Sequence, residues 1–224
     1  EVSEVDLEPA TAEETAATVA VMGGEDWEFW VQALHEAGVL AQGFKTVAYN
    51  YIGSELTWPI YWNATLGKAK EDLDRARASI AKDLADIDGE AHVAVLKAVV
   101  SQASAAIPVV PLYISVLFKV MKETGNHEST LEHVQRLFSR QLYGAGPRNI
   151  DDLGRIRVDD WELSSSVQDE VKRRWPLVST ENLEQLADLA GYRSDFLKIF
   201  GFGLADVDYE AEVDPLIAGT VSGA

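Results

Sequence analysis

The sequence predicts an α/β fold built on a parallel sheet, and three stretches predict it. Residues 44–52 (FKTVAYNYI) are rich in Val, Tyr, Thr and Ile, and 91–100 (AHVAVLKAVV) form a near-continuous apolar run. Runs of this kind suit strands buried on both faces. Between them, Leu66, Ala69, Leu73, Ala76, Ile80, Leu84 and Ile87 recur at intervals of three and four, the signature of one long amphipathic helix over 66–88. Strand, long helix, strand is a βαβ unit, whose two strands run parallel.

The other elements follow in order. Residues 1–9 are an acidic lead-in. A helix over 11–22 begins at Thr11, which can cap it, with Glu13 and Glu14 complementing its positive end. Gly23 and Gly24 break it, and Asp26 is expected to cap a second helix that buries Trp27, Trp30, Val31 and Leu34 as core. Gly53 ends the first strand and Gly89 closes the long helix. Residues 101–111 read as a loop or short strand, 112–123 as an apolar helix and 129–142 as an amphipathic one. Two glycines and a proline in 143–152 mark a boundary, which divides the chain into a catalytic α/β part (1–145) and a small, mostly helical region (146–224). That region carries a short strand over 155–158, small helices over 161–175, 180–190 and 192–200, and a frayed tail from Asp206.

Composition narrows the function. With 37 acids against 19 bases the net charge is -18, which repels nucleic-acid phosphates and anionic membrane surfaces. The longest apolar run, 103–118, falls short of the roughly 20 residues of a membrane span and contains Pro108 and Pro111. The acidic N-terminus lacks the apolar segment of a signal peptide, and the expected location is cytoplasmic. No cysteine is present, which removes disulfides and thiolate chemistry. His35, His92, His127 and His133 fit no metal-ligand spacing, so no metal is expected.

A dinucleotide site needs a glycine-rich turn between a strand and a helix, so that backbone can approach the diphosphate. No G-x-G-x-x-G occurs: Gly201-Phe202-Gly203 follows a helix and Gly144-Ala145-Gly146 runs into Pro147. Any diphosphate site for a nicotinamide cofactor therefore lies outside these residues.

Tyr49, Tyr51, Tyr61, Lys68 and Lys70 gather around the end of the first strand and the start of the long helix. Tyr61 and Lys70 are nine apart and would face opposite ways on one continuous helix. They converge only if the helix starts between them, with Asn63 or Thr65 as its cap and Tyr61 in the loop before it. An ammonium near a phenol favours the phenolate, and a phenol can hydrogen-bond a carbonyl oxygen as negative charge develops on it. Spacing alone is equally met by a core tyrosine and a surface lysine.

The spacing does not stand alone. VMGGEDW (21–27), AYNYIG (48–53), LTWPIYW (56–62), LGKAKEDLD (66–74), LKAVVSQASAAIPVVPLY (96–113), LFKVMKE (117–123), GRIRVDDWEL (154–163) and DLAGYRSDF (188–196) resemble, in order, the trans-2-enoyl-CoA reductases and the FabV-type enoyl-acyl carrier protein reductases. The resemblance implies the C-terminal part of a Rossmann-like, short-chain-dehydrogenase-like sheet. It implies an enzyme of fatty acid synthesis that reduces the C2–C3 double bond of an enoyl-CoA or enoyl-acyl carrier protein with NADH. Tyr61 would match the proton donor of the family's Tyr-x8-Lys motif, and Lys70 the lysine that contacts the cofactor. Tyr51 would match the tyrosine set against the substrate thioester. Val99, Val100 and Ser101 would line the nicotinamide, Ser101 standing where relatives often carry threonine. Phe118 and Tyr192 would line the acyl pocket. The family's glycine-rich turn belongs to an N-terminal half that this chain does not match, so a cofactor-binding half is the implied partner. Two alternatives stay open: a binding module that lacks the cofactor half, and a short-chain reductase acting on a carbonyl.

Overall fold

In the computed structural model, which describes residues 1–213, the chain opens with α1 (Ala12–Met22) and α2 (Glu25–Glu36). Thr11 caps α1 as expected, in a reciprocal pair with Glu14. The cap of α2 is Gly24; Asp26 sits inside its first turn. β1 (Lys45–Asn50) leads through a 3₁₀ turn (Trp58–Ile60) to α3 (Thr65–Asp83), and β2 (Glu90–Val95) follows. The chain then forms α4 (Gln102–Ala106), α5 (Val110–Glu123) and α6 (Thr130–Arg136), which runs on as a π turn (Leu137–Leu142). β3 (Ile156–Arg157), α7 (Ser165–Arg174), α8 (Leu183–Leu186) and α9 (Leu189–Ile199) complete it. Residues 101–111, expected as loop or strand, contain α4, because Ser101 and Ser104 form a reciprocal cap that starts a helix there. From 206 to 213 the chain has neither helix nor strand, and the rest of the expected tail lies outside the described residues.

The three strands form one parallel sheet in the order β1-β2-β3, with Lys45 opposite Glu90 and Ala94 opposite Ile156. β2 is central, and Ala91, Val93, Ala94 and Val95 are buried. β1, read as a buried strand, is only half-buried, and Tyr49 is 44% exposed. Its apolar composition is that of an interior strand, but among the described residues it pairs along one edge only. The α2 stripe is corrected for a similar reason. Val31 is buried and the Trp27 indole donates to Thr46 Oγ1, whereas Trp30 is 63% exposed and Leu34 also faces outward. The helix rests on its neighbours along one narrow line.

Residues on both sides of position 146 share one core. Ala98 and Val100 pack with Tyr113, Leu117 and Phe118 of α5, Val167 and Val171 of α7, and Tyr192 of α9. A second cluster joins Ala94 and Leu96 to Leu137, Leu142, Ile156 and Val158. A third sets Ile80 and Leu84 against Val31 and Ala91.

A buried polar chain fixes the exit of β2. The Lys97 amide donates to His133 Nε2 at 3.2 Å, so the His133 proton resides on Nδ1, which donates to Glu128 Oε1 at 2.6 Å. Arg136 grips the same carboxylate through Nε (3.0 Å) and Nη2 (2.9 Å). Burial alone would raise the Glu128 pKa, but the hydrogen bonds from His133 and Arg136 outweigh it and hold the group at about 2. A carboxyl lowered on folding stabilises the fold above its unfolded value, and that contribution disappears as protons return. Between pH 4.5 and 2, acidification should therefore remove about 2–3 kcal/mol of stability through Glu128. Denaturant melts of Glu128→Gln should show a shallower acid slope over that window.

Candidate functional site

The site lies at the C-terminal ends of β1 and β2, the place where open parallel sheets bind ligands. β1 delivers Tyr51 and the loop to Tyr61, and β2 delivers Lys97 to Ser101. Gly53 turns the first loop with φ +74, in the left-handed region, and a Cβ there would lie 2.7 Å from Tyr51 Oη. A glycine is needed both for the turn and for the close approach of the Tyr51 ring.

Helix α3 starts between Tyr61 and Lys70, as their convergence requires, although Ala64 is its cap residue rather than Asn63 or Thr65. Tyr61 ends the 3₁₀ turn, and its carbonyl accepts from Gly67 N at 3.0 Å. The Tyr51 and Tyr61 rings meet edge to face, centroids 5.0 Å apart at 78°. Burial pushes the Tyr61 phenol up to about 12. Lys70 is half-buried, and desolvation lowers its pKa. Its Nζ donates to the Tyr49 carbonyl at 3.4 Å, and no bond from it to Tyr61 is present among the described residues. The ammonium therefore does not turn Tyr61 into a phenolate here; the phenol keeps its proton, the state a proton donor requires. Lys68, the other lysine of this stretch, pairs with Glu71 on the exposed face.

Val99 and Ser101 are half-buried and Val100 is buried. The loop is pinned: Ser104 Oγ donates to the Val99 carbonyl at 2.9 Å, and the Ser101 hydroxyl accepts from Ser104 N at 3.0 Å. Phe118 is enclosed in the core, with Lys97 Nζ 5.0 Å from its ring centroid, so it walls the interior rather than an open pocket. Tyr192 lines a groove of about 420 Å³ with Ala105, Pro111, Arg193, Phe196 and Leu197. A larger hollow of about 860 Å³ beside it, bounded by residues 1–6 and the start of α5, includes none of the candidate residues.

Several groups at the site were not singled out in the sequence. Glu162 is fully buried; its Oε1 accepts from Tyr51 (3.1 Å) and Tyr113 (2.7 Å), and its Oε2 from Ala98 N (2.5 Å). Burial raises the pKa of this carboxyl. Lys97 is 1% exposed, and burial lowers it to about 8. The Asn50 side chain, 2% exposed at the end of β1, has no partner for either polar atom among the described residues. Nothing in the sequence next to Glu162 marks it as buried; its fold position reveals it.

A family model for the trans-2-enoyl-CoA reductase catalytic region matches residues 1–143. The chain belongs to this enoyl reductase family. A second model, described as an enoyl reductase FAD binding domain, matches residues 150–213. Over 215 residues the chain is 59% identical to the enoyl-acyl-carrier-protein reductase (NADH) of Tolumonas auensis, covering 96% of this chain and 54% of that protein. It is 59% identical over 209 residues to the FabV enzyme of Aeromonas salmonicida, 93% of this chain and 52% of that one. The trans-2-enoyl-CoA reductase of Clostridium acetobutulicum, solved with NADH, superposes with a TM-score of 0.86 at 43% identity, over 92% of this chain and 52% of its own. The Treponema denticola enzyme, solved with NAD, gives 0.83 at 50% identity, over 92% and 51%. The three parallel strands and their flanking helices are thus Rossmann-like, as the resemblance implies. The chain spans about half the length of the curated relatives it matches. Among the described residues, no helix is long and apolar enough to cross a membrane.

Proposed function

We propose that this chain supplies the proton-donating tyrosine and the substrate side of an NADH-dependent enoyl reductase. The enzyme would act on trans-2-enoyl thioesters of CoA or acyl carrier protein, in cytoplasmic fatty acid synthesis. The observation that carries the proposal is the Tyr51–Tyr61 pair, set edge to face at the C-terminal end of β1, with the Tyr61 phenol held protonated. The names of the relatives support the same reaction.

The residues present fit the nicotinamide end of the cofactor. Val99, Val100 and Ser101 form a pinned wall, Lys70 stands beside β1, and the Asn50 amide is buried and unpartnered at the strand end among the described residues. The Ser101 hydroxyl accepts its capping bond and so keeps its own proton free to donate. NADH, when bound, supplies a hydride to the β-carbon of the unsaturated thioester. Tyr61 then serves the other end: its hydroxyl donates to the thioester oxygen as charge develops there, and holds the proton the product needs. Tyr192 would bound the acyl chain at its groove, with Phe118 in the core behind it rather than against the chain. A flavin diphosphate fits residues 150–213 poorly, because the turn that follows β3 carries Asp159, Asp160 and Glu162.

The diphosphate would be held by an N-terminal cofactor half, in the same polypeptide or as a second chain. The open edge of β1 and the exposed Phe29 and Trp30 of α2 support such a neighbour. In this arrangement residues 1–145 carry the catalytic part, and α7 and α9 of the following region brace it through the shared core.

The test is NADH oxidation by protein that includes the cofactor half, with a short trans-2-enoyl-CoA and its 3-oxo counterpart compared. The proposal expects consumption with the enoyl thioester and at least about tenfold less with the 3-oxo compound, a difference of about 1.4 kcal/mol in barrier. Preference for the 3-oxo compound would make the protein a carbonyl reductase, and no oxidation with either would leave it a binding module.

A further inference from the structure

We propose that Glu162 is a positioning residue for the tyrosine pair, one buried carboxylate that fixes Tyr51 against Tyr61 and ties both to the loop after β2. The inference rests on the enoyl-reductase reading above and deepens it.

Glu162 lies between β3 and α7, far in sequence from the groups it holds. It has no cationic partner within salt-bridge distance among the described residues, and its charge is met by three neutral donors. A buried carboxylate satisfied this way is a poor route to stability, since desolvation opposes it. It is a good device for orientation, because each donor has one geometry that satisfies it.

The three donors come from the elements that build the site. Tyr51 follows β1, Ala98 follows β2, and Tyr113 belongs to α5. Tyr113 Oη also accepts from Ser54 Oγ at 3.0 Å, so the β1 loop is held on both sides of Gly53. Tyr51 commits its single proton to Glu162. Its ring is thereby fixed, and its edge-to-face contact with Tyr61 turns that fixed ring into a wall for the proton donor. The Ala98 bond sets the same carboxylate one residue before the Val99–Ser101 wall.

Glutamine cannot reproduce this. A carboxamide offers one acceptor oxygen where the carboxylate offers two. It must either turn its NH₂ toward the Ala98 amide or present donors to two hydroxyls that are themselves donating. In the second case Tyr51 must turn from donor to acceptor, and Tyr113 Oη, which already accepts from Ser54 and Gln168, has no site left for the NH₂, so the geometry that fixes the Tyr51 ring is lost.

The experiment compares the unaltered protein, Glu162→Gln, Tyr51→Phe and the double variant, each in protein that includes the cofactor half. Steady-state kcat and KM, NADH affinity and the Tyr51 Cζ resonance of ¹³C-tyrosine-labelled protein, assigned by its loss in Tyr51→Phe, are measured. Glu162→Gln is expected to lower kcat by about 30-fold or more, leave NADH affinity within about threefold, and move the Tyr51 resonance. On the Tyr51→Phe background it should cost less than about threefold further, because the carboxylate acts through Tyr51. A merely structural role would give losses that multiply, and that result overturns the proposal. So would an unchanged kcat together with an unmoved resonance. If the unaltered protein turns over no enoyl thioester, the enoyl-reductase reading fails, and the resonance alone decides whether Glu162 holds Tyr51. Should Glu162→Gln fail to fold, Glu162→Asp, which keeps the charge but shortens its reach, is put through the same comparison.

Discussion

Tyr61→Phe is expected to lower kcat by about 10²–10⁴-fold, the range a positioned general acid supplies, and to leave the melting temperature nearly unchanged. The asymmetry follows from where the hydroxyl stands. Among the described residues it makes no hydrogen bond, so its removal orphans no buried partner. The ring carries the packing, and phenylalanine keeps the edge-to-face contact with Tyr51. What is lost is the proton. Burial raises that phenol to about 12, so at neutral pH it is fully protonated and becomes a strong donor only when an oxygen beside it gathers negative charge. Steady-state NADH oxidation with an enoyl thioester measures the loss, and a thermal melt measures the fold. Turnover near that of the unaltered protein would remove Tyr61 from the chemistry.

Features set by neighbours in sequence were legible; those set by distant contacts were not. The Leu66-to-Ile87 stripe requires one helix, and the helix requires the flanking runs to be parallel, so the βαβ unit could be read directly. The Thr11–Glu14 pair is equally local. So is the Ser101–Ser104 pair of α4, a local cap set among apolar residues that mask it. The periodicity predicts a long helix to Asp88, whereas it ends at Asp83 and a 3₁₀ turn (Ala85–Ile87) continues its rise, because both helices bury residues at intervals of three or four. β1 and the Trp30 face of α2 have the composition of interior segments yet are half-buried or exposed, because composition does not say which edges and faces the described chain covers. Tyr51, Tyr61 and Lys70 gather at one place in the sequence and the resemblance implies their roles; the structure sets Tyr51 and Tyr61 in contact while Lys70 reaches a backbone carbonyl. Glu162 was illegible for a different reason. Its partners are 111, 64 and 49 residues away, and nothing in DDWEL distinguishes a buried carboxylate from a solvated one.

Gly67→Ala sets two magnitudes against each other. Inside a helix, alanine is favoured over glycine by about 1 kcal/mol, so propensity alone forecasts a more stable protein. The local geometry forecasts the reverse. A Cβ on Gly67 would lie 1.7 Å from the Trp62 carbonyl oxygen and 2.5 Å from its carbon, and both are backbone atoms that cannot swing aside. Overpacking of this kind costs about 1–3 kcal/mol and outweighs the propensity gain. The relief available is to push residues 61–63 away from the first turn of α3, which breaks the Gly67 N to Tyr61 O bond of 3.0 Å. Tyr61 would then move by on the order of 1 Å relative to Tyr51, a displacement that can cost about 10²-fold in turnover. The expected result is a melting temperature lowered by a few degrees, about 1 kcal/mol net, together with kcat down about 100-fold and NADH affinity little changed. A variant that melts higher and turns over normally would show that the start of α3 can shift without carrying Tyr61. The glycine would then serve the helix alone, and the tyrosine would owe its position to the β1 loop and Glu162.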